Sequence, residues 1–183
     1  MQDEQELVRR AQQHDQEAFA ELYEKYFNKI YRYVIVRVGN QAEAEDMTQQ
    51  VFLRALRSIA SFQWRNIPFA AWLFRIAHNQ VVDHLRKRTR QLTVSLDETQ
   101  TLSSSDPQKT AEHRLDIEWL MLATSKLTAA QREVISLRFA GDLPIAQVAQ
   151  IMGKSQGAVK ALQHSAIVAL RKALPGGQNN EPG

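Results

Sequence analysis

A chain of 183 residues, with 44% hydrophobic and 23% charged side chains, has the length of one ordinary domain or two small ones, which excludes a large multidomain enzyme and a disordered chain. It has no cysteine, so disulfide frameworks, thiol nucleophiles and cysteine-based metal sites are excluded together. The net charge of +3 is unevenly spread: residues 93–112 hold 1 basic against 4 acidic side chains and both flanking blocks are basic, a pattern that fits either two contacts with a polyanion or ordinary scatter of surface charge. With only 7 Gly and 5 Pro among recurring Ala, Leu, Gln, Glu and Arg, the composition predicts an all-α protein. The first ten residues are acidic and polar, and no stretch nears the roughly 18 apolar residues of a membrane span, so a cytoplasmic protein without membrane insertion is expected.

After a short leading helix, Phe19, Leu22, Tyr23, Tyr26, Phe27, Ile30, Tyr31 and Val34 recur at steps of three and four and define a wide apolar stripe on one long helix. Gly39 and Asn40 end it. A second helix is predicted over 42–59, with Glu43, Glu45 and Asp46 early and Arg54 and Arg57 late, as the helix dipole prefers. Its core face is Met47, Val51, Phe52, Ala55, Leu56 and Ile59. A third helix starts near Asn66 and Pro68, turns Phe69, Trp72, Leu73, Ile76 and Leu85 inward, and ends in the basic run Arg86, Lys87, Arg88, Arg90. These helices make a bundle over residues 1–92.

Residues 93–112, rich in Ser, Thr, Asp and Gln and containing Pro107, read as a flexible acidic linker. A second, smaller helical domain is expected over 113–174. It comprises a helix over 113–122, a helix over 129–139 capped by Thr128, a turn at Gly141 and Asp142, a short helix over 145–152, and a long one over 156–174. Residues 175–183 are almost without apolar side chains and are expected to be a disordered tail.

Residues 144–170 have the spacing of a helix-turn-helix. Ala149 is small where two helices approach, Gly153 suits a left-handed turn, and Val159 locks the second helix onto the first. Lys154, Ser155, Gln156, Lys160 and His164 then lie where they can donate to phosphates or base edges in a major groove. A helical hairpin without DNA uses the same packing. On the third helix, Arg75, Asn79, Asp83, Arg86 and Arg90 form a polar stripe, either laid against a phosphate backbone or simply solvated with Asp83 paired to Arg86. The loop SFQWRNIP groups Phe62, Trp64, Arg65 and Asn66; this set can hold an unstacked base, or its two aromatic rings can plug the bundle.

Catalytic signatures are lacking. The histidines at 14, 78, 84, 113 and 164 have no metal-ligand spacing, and neither a glycine-rich phosphate loop nor a nucleophile elbow occurs, so neither an enzyme nor a cofactor is expected. His78 and His84 read as helix-surface or cap residues.

In the order and spacing of residues 17–34 (EAFAELYEKYFNKIYRYV), 44–56 (AEDMTQQVFLRAL), 68–88 (PFAAWLFRIAHNQVVDHLRKR) and 127–174, the chain resembles bacterial sigma factors of the sigma-70 superfamily, in their minimal extracytoplasmic-function (ECF) class. The resemblance spans residues 17–174. It implies two helical domains, region two over residues 1–92 and region four over 113–174, without the middle domain of larger sigma factors. It further implies that Asp46, Gln49, Gln50, Phe52, Leu53 and Arg54 bind the beta-prime clamp helices of core RNA polymerase. Phe62, Trp64, Arg65 and Asn66 would capture a flipped minus-ten base, with Arg75, Asn79, Arg86 and Arg88 in the strand-binding helix. Lys154, Ser155, Gln156, Lys160 and His164 would read the minus-thirty-five element, while region four contacts the beta flap. In this class the linker reaches toward the polymerase channels, where Asp97, Glu98 and Asp106 act either as a nucleic-acid mimic or as a plain tether.

The implied partners are core polymerase, promoter DNA and an anti-sigma protein, with no obligate homo-oligomer. Two departures from the pattern stand out. Pro144 opens the motif where relatives carry a polar residue, and Gln163, Ser165, Ala166, Ile167 and Val168 replace a more arginine-rich stretch. These residues imply either weaker minus-thirty-five binding or a changed base preference, or else an apolar face, thickened by Ile167 and Val168, for an anti-sigma partner.

Overall fold

The computed structural model describes residues 2–64, 67–94 and 121–173, and among these every regular element is helical. The first helix, α1 (Gln2–Gln12), is followed by α2 (Gln16–Val38), α3 (Gln41–Ser58), a 3-10 turn (Ile59–Ser61) and α4 (Phe69–Val94). Local chemistry sets each boundary. The Asp15 carboxylate caps α2 by accepting from the Ala18 N–H at 3.1 Å, and that bond together with Arg10 holds its carboxyl below the usual range. Gly39 ends α2 at φ +76°, and Asn40 starts α3 by accepting from the Glu43 N–H at 2.9 Å. The fourth helix does not stop at its basic run but continues to Val94, because residues 91–94 contain no glycine or proline to interrupt it.

The second half begins with helical residues 121–125, followed by α5 (Ala129–Ile135). A reciprocal capping box starts α5: Thr128 accepts from the Gln131 N–H at 3.3 Å, while the Gln131 side chain accepts from the Thr128 N–H at 3.0 Å. The α-helix predicted to reach residue 139 instead widens at Ser136–Ala140 into a π turn closed by the Gly141 N–H donating to Ser136 O. Helices α6 (Ile145–Met152) and α7 (Gln156–Ala173) complete the fold. The linker, the tail and most of the helix predicted over 113–122 lie outside the described residues.

The apolar periodicity of the two halves suggests two separate cores, yet a single core joins them. Buried residues run from Leu7 through Phe74 and Val81 into Val134, Leu137, Leu143, Val148 and Val159, because α2 and α4 pack against α5, the π turn and α6. Phe74 meets the second half at Gly141, where a Cβ would lie 3.0 Å from the Phe74 ring. A small satellite cluster holds Leu127, Ile135 and Ala166 under Ile167 and Leu170. Ile167 therefore packs inward, and the apolar pair expected with Val168 reduces to Val168 alone.

Candidate nucleic-acid interface

Pro144 occupies the position before α6, and its fixed backbone lets its carbonyl accept from the Gln147 and Val148 N–H groups at 3.0 and 3.1 Å. At the other end Gly153 adopts φ +61°, and the Lys154 N–H donates to Ala149 O at 3.0 Å, closing the turn in a Schellman pattern. Ser155 then caps α7 by accepting from the Ala158 N–H at 3.2 Å. Ala149 and Val159 are buried where α6 and α7 cross. Sequence spacing places all these roles correctly, since each depends on residues within one or two turns.

This packing leaves Lys154, Ser155, Gln156, Lys160 and His164 exposed on one side of α7. Gln156, Lys160 and His164 follow one another at steps of four, one stripe of donors along the front of the helix. Among the described residues, no hydrogen bond or ion pair engages the side chains of Lys154, Gln156, Lys160 or His164. The neighbouring Gln163 and Ser165 are used internally: Gln163 accepts from Arg138 Nε at 3.0 Å, and Ser165 accepts from Gln131 Nε2 at 3.0 Å. Arg138 also donates to the Leu143 carbonyl, tying the segment before α6 to α7.

The first half presents a second polar surface. Arg75, Asn79 and Arg86 are exposed along α4 and Arg88 is half-buried; Arg86 pairs with Asp83 at 2.9 Å, as its spacing predicts. Loop residue Phe62 faces inward: it is buried, with its ring 5.1 to 5.7 Å from Trp64, Phe69 and Trp72, and so belongs to the core rather than to a base-contacting surface. Gln12 of α1 fixes the loop by donating to the Phe62 carbonyl at 2.7 Å and to the Ile59 carbonyl at 3.1 Å. Trp64 stays half-buried above Phe62, and Arg65 and Asn66 lie outside the described residues.

On α3, Asp46, Gln49, Gln50, Leu53 and Arg54 are exposed, with Gln50 donating to Asp46 at 2.6 Å. Phe52 is not among them, since it is buried with its ring 4.6 Å from Tyr23. Leu56, expected in the core, is 49% exposed and lies one turn from Leu53 at 52%, so the outer face of α3 carries two adjacent apolar side chains among polar ones.

Sequence reasoning missed one constellation. Glu133 on α5 is buried between α2 and α4, where Arg37 Nη2 pairs with it at 2.6 Å, Tyr33 Oη donates to it at 2.7 Å, and His78 Nδ1 lies 2.8 Å away. Burial alone would raise the Glu133 carboxyl, but the bonds to His78, Arg37 and Tyr33 outweigh it and hold the group below its usual value. Burial pushes the Tyr33 hydroxyl well up. The only local clues were an Arg and a Glu set inside apolar runs, YVIVRV and EVISL. His78, read as a surface or cap residue, is a member of this cluster; His84 reaches Glu43 at 3.2 Å. Among the described residues, no group of three His, Asp or Glu side chains is arranged to hold a metal ion.

Two all-helical halves, the second ending in an exposed helix-turn-helix, have the layout expected of a sigma-70 protein. Family models agree: Sigma-70 region 2 matches residues 22–91 and Sigma-70 region 4 matches residues 123–172. Among curated proteins, the chain is 40% identical over 172 residues to the ECF RNA polymerase sigma factor BldN of Streptomyces coelicolor, covering 93% of this chain and 65% of that protein's length. It is 32% identical over 180 residues to the ECF RNA polymerase sigma factor SigW of Bacillus subtilis, covering 91% of this chain and 94% of SigW. The fold is shared with CnrH, solved in complex with the cytosolic domain of CnrY (TM-score 0.68, 22% identity, covering 93% of this chain and 96% of that one). It is also shared with the sigma factor RpoE of Bartonella quintana, solved in complex with the anti-sigma factor NepR (TM-score 0.67, 23% identity, covering 85% of this chain and 95% of that one). The chain belongs to the ECF family of RNA polymerase sigma factors. No helix among its described residues is long and apolar enough to cross a membrane.

Proposed function

We propose that this chain directs core RNA polymerase to promoters by reading a minus-thirty-five element with region four and a minus-ten element with region two, and that it helps open the duplex. The observation that carries this reading is the unengaged donor stripe of Gln156, Lys160 and His164 on a rigidly capped α7, the arrangement a major groove accepts. Region two spans residues 1–92 and region four 113–174 in this scheme, joined by residues 93–112. Arg75, Asn79, Arg86 and Arg88 follow the displaced strand, and Trp64, Arg65 and Asn66 receive the flipped base. Phe62 acts from the core by supporting Trp64, whose ring lies edge-on to it at 5.3 Å. The exposed Gln49, Gln50, Leu53 and Arg54 face of α3, widened by Leu56, is the polymerase contact, with a mixed apolar and polar character suited to a partner helix. An anti-sigma protein partner belongs to the proposal, because a solved neighbour of like fold, RpoE of Bartonella quintana, is in complex with the anti-sigma factor NepR. The site of action is the cytoplasm, where polymerase and promoter DNA meet.

Run-off transcription with purified bacterial core polymerase, with and without the protein, on a library of upstream sequences tests the reading. Protein-dependent transcripts sharing two spaced elements support it. Lys160→Ala and Gln156→Ala are expected to weaken discrimination at the minus-thirty-five element about tenfold each and to leave core binding intact, since one good base contact is worth about 1–3 kcal/mol. Leu53→Asp is expected to impair core binding with duplex binding retained. Replacing Trp64 and Asn66 by Ala is expected to reduce opening of duplex promoters more than binding to a pre-melted bubble. Failure to bind core, with duplex binding retained, would replace the reading with a stand-alone DNA-binding regulator.

A further inference from the structure

The loop that carries Trp64 is held by a residue about 50 positions earlier in the chain. From within, Phe62 anchors it, with its ring 5.7 Å from Phe69 and 5.1 Å from Trp72. From outside, the Gln12 amide donates both of its N–H bonds to main-chain carbonyls, Ile59 O at 3.1 Å and Phe62 O at 2.7 Å. Ile59 O also accepts from the Phe62 N–H at 3.0 Å, so this one side chain closes over the turn from which the loop departs. Among the described residues no backbone hydrogen bond holds Gln63, Trp64 or Ile67, the positions that follow. The two carbonyls bound by Gln12 are therefore the last hydrogen-bonded points of the main chain before Trp64.

Gln12 is suited to this task because α1 is itself fastened to the bundle at both ends. Near its start, Glu4 accepts from Lys25 Nζ at 2.9 Å and from the Tyr26 hydroxyl. Leu7, Val8 and Ala11 are buried where α1 packs on α2. Near its end, Arg10 Nε donates to the Asp15 carboxylate at 2.7 Å, bracing the turn that passes through His14 at φ +66°. Gln12 is the last residue of α1, so its side chain reaches the loop from a fixed support. Helix α1 also precedes residues 22–91, which match Sigma-70 region 2, so the contact joins an element outside that match to a loop inside it. A carboxylate at position 12 could not donate, and an apolar side chain of the same length would leave both carbonyls without these bonds.

We propose that Gln12 is a positioning residue for the minus-ten step: by tying the Ile59 and Phe62 carbonyls to α1, it sets the backbone that presents Trp64 to a flipped base. The inference rests on the promoter-reading function proposed above. Capture requires Trp64 to be in place when the base leaves the stack, because any ordering postponed to that moment is subtracted from the binding. A loosened loop is competent for only a fraction of the time, and apparent affinity falls by that fraction. Each hydrogen bond of this kind is worth a factor of about 2–10 in an equilibrium constant, so removing both should weaken capture about tenfold. Gln12 itself touches no DNA in this scheme.

The test is a double-mutant cycle between protein and DNA, with the full chain assembled on bacterial core polymerase. Its ligand is the displaced strand of the minus-ten element from a promoter that the parent protein transcribes. Each base of that strand is replaced in turn by an abasic sugar, and the captured base is the one whose removal abolishes the effect of Trp64→Ala. Gln12→Glu and Gln12→Met keep the length of the side chain and remove its donors. Each should weaken binding of the intact strand about tenfold, but by less than about twofold once the captured base is missing, with core binding unchanged. In the free full chain the Phe62 amide should exchange with solvent severalfold faster in both variants. Should the new charge of Gln12→Glu disturb folding, Gln12→Met decides on the same terms. Equal weakening on the intact and abasic strands would reduce Gln12 to a general structural role and overturn the proposal. No weakening on either strand, or an unchanged Phe62 exchange rate, would overturn it as well. A parent that yields no transcript, or a strand on which no abasic position silences Trp64→Ala, would instead remove the underlying function of promoter reading or base capture, and this inference with it.

Discussion

Replacing Gly141 by alanine overpacks the seam where the π turn meets Phe74 of α4. Gly141 sits at φ −85° and ψ −18°, a backbone conformation any residue adopts, so alanine meets no torsional penalty there. Its new methyl group would instead lie 2.7 Å from the Leu137 carbonyl oxygen, 3.0 Å from the Phe74 ring and 3.1 Å from Leu143 Cγ. None of these gives way easily. Leu137 O already accepts from the Leu143 N–H, and Phe74 is fully buried edge-on to Tyr33 with ring centres 5.7 Å apart. Overpacking of this kind costs about 1–3 kcal/mol, and the entropy alanine removes from the unfolded chain returns about 0.5 kcal/mol, so a net loss of about 1.5 kcal/mol is expected. For a chain of this size that is a fall in Tm of about 3–6 °C.

Two companion substitutions separate the causes. Gly153→Ala has open space around its Cβ but must hold φ +61°, a loss of about 1–2 kcal/mol from backbone strain alone. Gly157→Ala, inside α7 with only Ser155 Oγ near at 3.9 Å, should gain about 0.5–1 kcal/mol. Urea and thermal unfolding of the full chain measure all three. A Gly141→Ala protein as stable as Gly157→Ala would refute the close approach of the π turn to α4.

Three further outcomes follow from the same structure. Phe62→Ala should destabilise the protein by about 3–5 kcal/mol, since a buried ring among three aromatic neighbours leaves a cavity; a change under 1 kcal/mol in urea unfolding would return Phe62 to the surface. Thr128→Ala should cost about 1 kcal/mol by removing the cap of α5, and Thr128→Ser should recover most of it in thermal melts. Because the folded protein holds the Glu133 carboxyl below its unfolded value, the unfolded state binds the extra proton. The stability this group contributes is full at neutral pH and is lost as pH falls through and below the ordinary glutamate range. Glu133→Gln should therefore show a shallower decline of the urea midpoint between pH 6 and 3 than the parent; equal slopes would mean that the carboxylate is not the group being titrated.

The elements legible in the sequence were those whose cause is local. Thr128, Ser155, Gly39 and Gly153 act on residues at most five positions away, so caps and turns follow from the order of residues alone. The exposed side of α7 was equally legible, because the buried Ala149 and Val159 determine which side of the helix is left outside. Periodicity also located most of the apolar stripe on α2. It failed where burial depends on a distant neighbour: of Phe52 and Leu56, both placed on the core face of α3, the first packs against Tyr23 and Phe27 and goes in, while Leu56 stays out.

Tertiary structure alone decided the relation between the halves. Arg37, His78 and Glu133 look like ordinary charged or polar residues until three helices bring them together, and Tyr33 and Glu133 are 100 positions apart. Residue order carries the hydrogen-bonding and apolar periods that make helices, so it determined an all-helical chain with a helix-turn-helix. Which buried charge meets which is set by docking one packed surface on another, and no pattern within a single helix encodes that pairing.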